Sequence, residues 1–187
     1  RSDRKGHNDL YRKAVDSLSA EELVYADNLS KDPTSWSADG KLLLYHTGPT
    51  GSDSKTQQDL WALPLTPERP GTPLKPFLLL QTPFTERGAQ ISPDGRWIAY
   101  ISNESQRPEV YVTPFPPLPS GPGGKRQIST AGAGDALRWR QDGKEIFYNS
   151  PDQRVMAAEV SIKSGTIEVG GVRPLFTVKD AFRSNNL

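Results

Sequence analysis

One unit recurs three times along this chain: PTSWSADGKLLLY at residues 33–45, GAQISPDGRWIAY at 88–100 and DALRWRQDGKEIFY at 135–148. A repeated unit cannot bury its own apolar face, so such a chain folds by stacking neighbours. The pairs Asp39-Gly40, Asp94-Gly95 and Asp142-Gly143 are spaced 55 and then 48 residues apart, close to the ~40–50 residues of a propeller blade. Aspartate bonds its own backbone in such a turn, and glycine takes the positive φ that closes it, so each pair predicts a hairpin.

Each turn is followed by one cation (Lys41, Arg96, Lys144) and a short strand ending in tyrosine. Side chains alternate with period two. Leu43 with Tyr45, Ile98 with Tyr100 and Ile146 with Tyr148 therefore share one face. The opposite face, with Leu42 and Leu44, Trp97 and Ala99, or Glu145 and Phe147, is also mostly apolar, and such a strand needs cover on both sides. Stacked blades supply it.

A second element follows each hairpin. Asp9-Leu10-Tyr11, Asp59-Leu60-Trp61 and Glu109-Val110-Tyr111 stand 50 residues apart, with Arg154-Val155-Met156 a degenerate copy 45 residues later. Fourth strands are expected at 22–25, 77–80, 126–129 and 173–178. The chain thus reads as an all-β, partial β-propeller, one continuous array over 1–187. It comprises a half-blade at 8–32, four-stranded antiparallel blades at 33–82, 83–130 and 131–180, and a tail at 181–187. A propeller closes with ~4–8 blades. Three and a half imply a piece of a larger ring, or an arc closed by another chain, with open apolar blade faces that favour self-association.

Composition narrows the function classes. Twenty-three cations against 22 anions lack the basic excess of a nucleic-acid surface. No apolar run approaches the ~18 residues of a membrane helix, so no direct membrane insertion is expected within this chain. The absence of cysteine excludes disulfides and thiolate metal sites.

Catalytic patterns are equally sparse. The two histidines, His7 in a charged start and His46 at an expected loop entrance, have no nucleophile beside them. Ser52 and Lys55 match S-x-x-K but fall in a loop, and PLPSGPGG at 117–124 lacks the ending of a phosphate loop. Asn28 and Asn103 open short glycosylation patterns to which we attach no function. The repeated aspartates are explained by their turns and do not call for calcium, which needs 6–8 oxygen ligands. No metal, cofactor or catalytic residue is expected. Loops and innermost strand entrances nominate Arg87, Gln90 and Arg138 for an unidentified protein or small-molecule ligand.

SPDGRWIAY at 92–100 followed by PEVYVTPF at 108–115 resembles the TolB-like, WD-repeat-like bacterial propellers, over nearly the whole chain. NESQRPEVYV at 103–112, GGKRQIST at 123–130 and RWRQDGKEIFY at 138–148 are similar to the C-terminal propeller of bacterial eukaryotic-like serine/threonine kinases. The third repeat departs from the pattern with Arg140-Gln141 in place of Ser-Pro, and the first has Ala38 in place of proline. The resemblance implies a non-enzymatic sensor or interaction module in the periplasm or another extracytoplasmic setting. The alternative is the gating propeller of a prolyl-oligopeptidase-like serine peptidase, and kinase or G-x-S-x-G sequence in the parent frame would discriminate the two.

Overall fold

The computed structural model describes residues 8–15, 19–48, 57–115 and 124–178. Fourteen strands occupy them: β1 (Leu10–Arg12), β2 (Glu22–Tyr25), β3 (Lys31–Trp36), β4 (Leu42–Thr47), β5 (Leu60–Pro64), β6 (Phe77–Leu80), β7 (Glu86–Ile91), β8 (Trp97–Ser102), β9 (Glu109–Pro114), β10 (Arg126–Gln127), β11 (Leu137–Trp139), β12 (Glu145–Asn149), β13 (Arg154–Lys163) and β14 (Thr166–Thr177). Three antiparallel four-stranded sheets follow chain order, β3 to β6, β7 to β10 and β11 to β14, and β1 pairs with β2. These are the three blades and the half-blade.

The turns form as their chemistry requires. Gly40, Gly95 and Gly143 all hold left-handed backbone, with φ of 70°, 72° and 71°. In the first two, the serine hydroxyl (Ser37, Ser92) donates to the aspartate Oδ1 (Asp39, Asp94), which accepts from the amide two residues on. The same hydroxyls accept from the amides of Leu42 and Trp97. In the third turn Arg140 stands where serine would be, and its guanidinium grips Asp142 instead.

Alternation sends each strand's two faces into different interfaces. Leu43 and Tyr45 pack towards the half-blade with Leu10 and Leu63. Leu44, Leu60 and Ala62 meet Ile98, Tyr100 and Tyr111 between the first and second blades. Trp97, Ala99 and Ile101 meet Leu137, Ile146 and Tyr148 between the second and third. Burying each such Leu or Ile is worth about 1.5–3 kcal/mol. Tyr45 lies opposite Trp61, and Tyr100 opposite Tyr111, as stacked cross-strand pairs.

Three corrections concern strand bounds. β13 and β14 are 10 and 12 residues long, whereas the sequence suggested short strands with the last at 173–178. The added length is a hairpin arm closed by Ser164 and Gly165, both at positive φ (50° and 75°). That is the two-residue turn whose twist suits adjoining strands. β10 stops at Gln127 rather than residue 129, because the Ser129 hydroxyl turns inward to the Glu109 carboxylate. His46 lies inside β4, opposite Leu60, and not at a loop entrance.

Candidate functional site

The seams between blades determine what is left for a ligand. Three of the four third strands open with a buried acid, Asp9, Asp59 or Glu109, whereas β13 opens with the exposed Arg154. The residue before each acid supplies a carbonyl to the next blade. Asn8 accepts from the Lys31 amide at 2.9 Å, Gln58 from Glu86 at 2.9 Å and Pro108 from Ala133 at 2.8 Å. Asp9 and Glu109 fasten the same crossings, whereas Asp59 ties its strand to the end of its own blade. Asp9 is 3.8 Å from the fully buried Lys31 ammonium, Asp59 accepts from the Gln81 amide at 2.9 Å, and Glu109 accepts from Ser129 and from the Gly132 amide. Sequence spacing already showed these acids in register, but nothing in it distinguished a buried clamp from a solvated strand entrance.

Two of the nominated ligand residues lie in these seams. The Arg87 guanidinium pairs with Asp135 of the next blade at 2.7 Å. Gln90 donates its amide to the Thr34 carbonyl at 2.5 Å, while its own carbonyl accepts from the Trp139 indole at 3.1 Å. Arg87 and Gln90 thus bridge the inner strands of neighbouring blades. Arg138 is exposed and donates to the backbone carbonyl of Leu137, on the strand face opposite Leu137 and Trp139. The structure brings Arg87 and Gln90 to one strand but does not gather all three around a common hollow.

Glu86 is the most unusual titratable group in the seams. It is fully buried, accepts from the Thr82 hydroxyl, and leaves Oε2 without a hydrogen-bond partner among the described residues. Burial pushes its carboxyl above the ordinary value of 4.5, with Asp59 and Glu104 adding to the rise. His46 Nε2 faces the Asp32 carboxylate at 3.7 Å. Among the described residues no three His, Asp or Glu side chains converge as metal ligands. His7, Ser52 and Lys55 lie outside the described residues.

A hollow of about 850 Å³ opens between the second and third blades at their Asp-Gly turns. One wall is the turn at Ser92 to Arg96, a second is the turn at Arg140 to Lys144, and the third is the β13–β14 arm with Val160, Ile162 and Ile167. The indoles of Trp97 and Trp139 line its floor. Its rim is charged and largely self-paired: Arg96 with Asp94, and Arg140 with both Asp142 and Glu145. Hydrogen bonds from Arg140 hold the Asp142 carboxyl down to about 2, so it stays ionised. Lys144 and Glu159, also at the rim, make no ion pair among the described residues.

The cleft has a local cause. One amide in each blade bonds back to the carbonyl of the turn cation: Leu65 and Phe115, just past β5 and β9, to Lys41 and Arg96, and Val160, at the equivalent place inside the longer β13, to Lys144. Leu65 and Phe115 pack into the interface in front of their own blades. Val160 does the same in the third blade, but its side chain is the smallest of the three. A sequence signal existed for the arm: Val160 and Ile162 alternate on one side of Ser164-Gly165, Ile167 and Val169 on the other.

Comparison with solved structures addresses the fold. A protein assigned as TolB from Agrobacterium tumefaciens matches with a TM-score of 0.64 at 19% identity, over 89% of this chain and 57% of that one. TolB from Acinetobacter baumannii matches with 0.49 at 19% identity over 80% and 34%. Prolyl oligopeptidase B from Galerina marginata gives 0.44 at 17% over 82% and 22%. No family model and no curated protein sequence matches the chain. The chain spans little more than half the length of the Agrobacterium protein, and its array of blades has the fold of part of a TolB-like propeller.

Proposed function

We propose that this chain is a non-enzymatic binding module, which presents the cleft between its second and third blades to an extended segment of a protein partner. The observation that carries this reading is the cleft itself. It occupies the interface where valine stands in the position that phenylalanine takes one blade earlier. The half-buried Trp139 indole and the exposed Ile162 side chain offer an anchor surface over a base of the buried Trp97, Val160 and Ile167, while a rim of both charge signs suits the flanks of a peptide. In the extracytoplasmic, receptor-kinase setting that the sequence resemblance implies, such a module would report the arrival of its partner. Self-association through an open blade face belongs to the same reading.

Selection of short random peptides on the immobilised protein tests it. We expect enriched peptides to share an aromatic or aliphatic anchor and to perturb the emission of the cleft tryptophans. Val160→Phe, which imitates Phe115 and fills the cleft, should weaken their binding at least about tenfold, or 1.4 kcal/mol, with the cooperative melt retained. Peptides that bind Val160→Phe as well as the parent would place recognition elsewhere. Hydrolysis of a bound peptide would overturn the non-enzymatic reading.

A further inference from the structure

β13 outruns its inner neighbour. β12 begins at Glu145, opposite Glu159, and among the described residues the last backbone bond on this side joins the Val160 amide to the Lys144 carbonyl at 2.9 Å. Beyond it the chain turns away at Asp142-Gly143, whereas β13 continues to Lys163.

The turn at the tip fixes which groups are left over. Ser164 and Gly165 make a two-residue connection, so Lys163 and Thr166 are the bonded pair that flanks it. Backbone groups of an antiparallel strand alternate between its two edges. Ser161 and Lys163 therefore serve β14, and Ile162 points its N–H and C=O the other way, on the side of the Val160 amide. The register shift between Ala158 and Val160 leaves this order intact, because its extra residue is on β14, where Gly170 and Gly171 together face Glu159. No described residue bonds to the Ile162 backbone on that side.

The hollow between the second and third blades lies along this same edge. Glu159, Val160, Ser161 and Ile162 all line it. Consecutive side chains leave a strand on opposite faces, so a space that touches four in a row runs beside the strand rather than over one face. It continues the line of β12. A residue placed on that line across from Ile162 turns its side chain towards Trp97, Trp139 and Ile167, which pack between the two blades. Of the two rim charges without an ion pair among the described residues, Glu159 stands across from Glu145 and so behind the line. The exposed Lys144 stands at its head.

We infer that the partner segment binds by strand addition: its main chain pairs with β13 at Ile162, in the line that β12 vacates, with an apolar residue over the tryptophans and an acidic residue beside Lys144. This mode rests on the cleft reading and specifies its geometry and its chemistry. Main-chain bonds supply affinity in such an arrangement, and alternate side chains supply specificity.

A short synthetic peptide that alternates isoleucine with threonine and carries glutamate at both ends is a suitable probe, followed by tryptophan emission and amide exchange. We expect saturable binding that slows exchange of the Ile162 amide about tenfold or more and leaves the Ser161 and Lys163 amides, already bonded to β14, nearly unchanged. N-methylation of the isoleucine amides and of the threonine amides should differ in effect. The set that faces β13 weakens binding at least about tenfold when methylated, and the other set is tolerated. Lys144→Gln should weaken the peptide about threefold, as for an exposed ion pair, and leave a glutamine-ended version unaffected. Absence of Ile162 protection at millimolar peptide, or equal effects of the two methylated sets, would overturn the inference. A peptide that Val160→Phe excludes but that leaves Ile162 unprotected would separate the two readings, with the cleft retained as the site and strand addition lost.

Discussion

Gly95 and Gln106 stand at the two ends of β8, and both hold left-handed backbone at φ 72°. Only the first could be seen in the sequence. Asp-Gly announces its turn, whereas glutamine carries no turn signal and is held in that region by the tight turn in which its amide donates to the Asn103 carbonyl. Gln153 repeats this in the third blade, at φ 63°, within a turn where Ser150 bonds Asp152 as Ser92 bonds Asp94. Open space around Gly95 means that a substitution there tests backbone strain alone. Gly95→Val should cost about 2 kcal/mol or more, while Gly95→Asn, which tolerates this conformation, should cost under about 1. Thermal melts of the two variants check it; equal losses would contradict the assigned turn geometry. Gly123 lies outside the described residues.

Glu86 gives a second prediction at this scale. Burial raises its folded-state carboxyl above the ordinary 4.5. Between those two values the native state binds more protons than the unfolded state, so this group's contribution to stability falls as pH rises through the window. Gln in its place does not titrate. The melting temperature of Glu86→Gln minus that of the parent should therefore be more positive at neutral pH than at about pH 4.5, and a difference that does not change with pH would contradict the shift.

Among elements, the strands were legible wherever alternation and Asp-Gly turns coincided. The paired faces of β4, β8 and β12 fall where Leu43, Tyr45, Ile98, Tyr100, Ile146 and Tyr148 predicted. The cleft was not legible, because it depends on a volume difference between Phe115 and Val160 that only their shared backbone bond makes comparable. The inner strands show the same limit. Polar residues at strand entrances read alike whether they meet solvent or the adjoining blade, and Gln90 meets the adjoining blade. Gln90→Ala should cost about 1 kcal/mol through the lost hydrogen bond, whereas Arg138→Ala, on an exposed side chain, should stay within about 0.5. Urea unfolding of both variants measures the contrast.

For the whole molecule, the outer face of the third blade has a chemistry that the count of blades could not show. At the third blade the nearly buried Glu145 is held by Arg140 and Arg173, while Phe147 is half-buried and Phe176 is 61% exposed on β14. This face therefore combines a satisfied ionic centre with an apolar margin. We expect concentration-dependent association in sedimentation velocity, reduced by Phe176→Asp and unaffected by Trp36→Ala.

The clamps that begin each blade also govern how the molecule comes apart. A carbonyl from Asn8, Gln58 or Pro108 reaches only the blade that follows, and the buried acids act over the same short range. Cohesion is thus passed from neighbour to neighbour, as along a short one-dimensional lattice. Opening then starts at a terminus and moves inward, so exchange protection forms a gradient: briefest in β1 and β2, longest in β8, whose six residues are all buried and whose blade has a partner on each side.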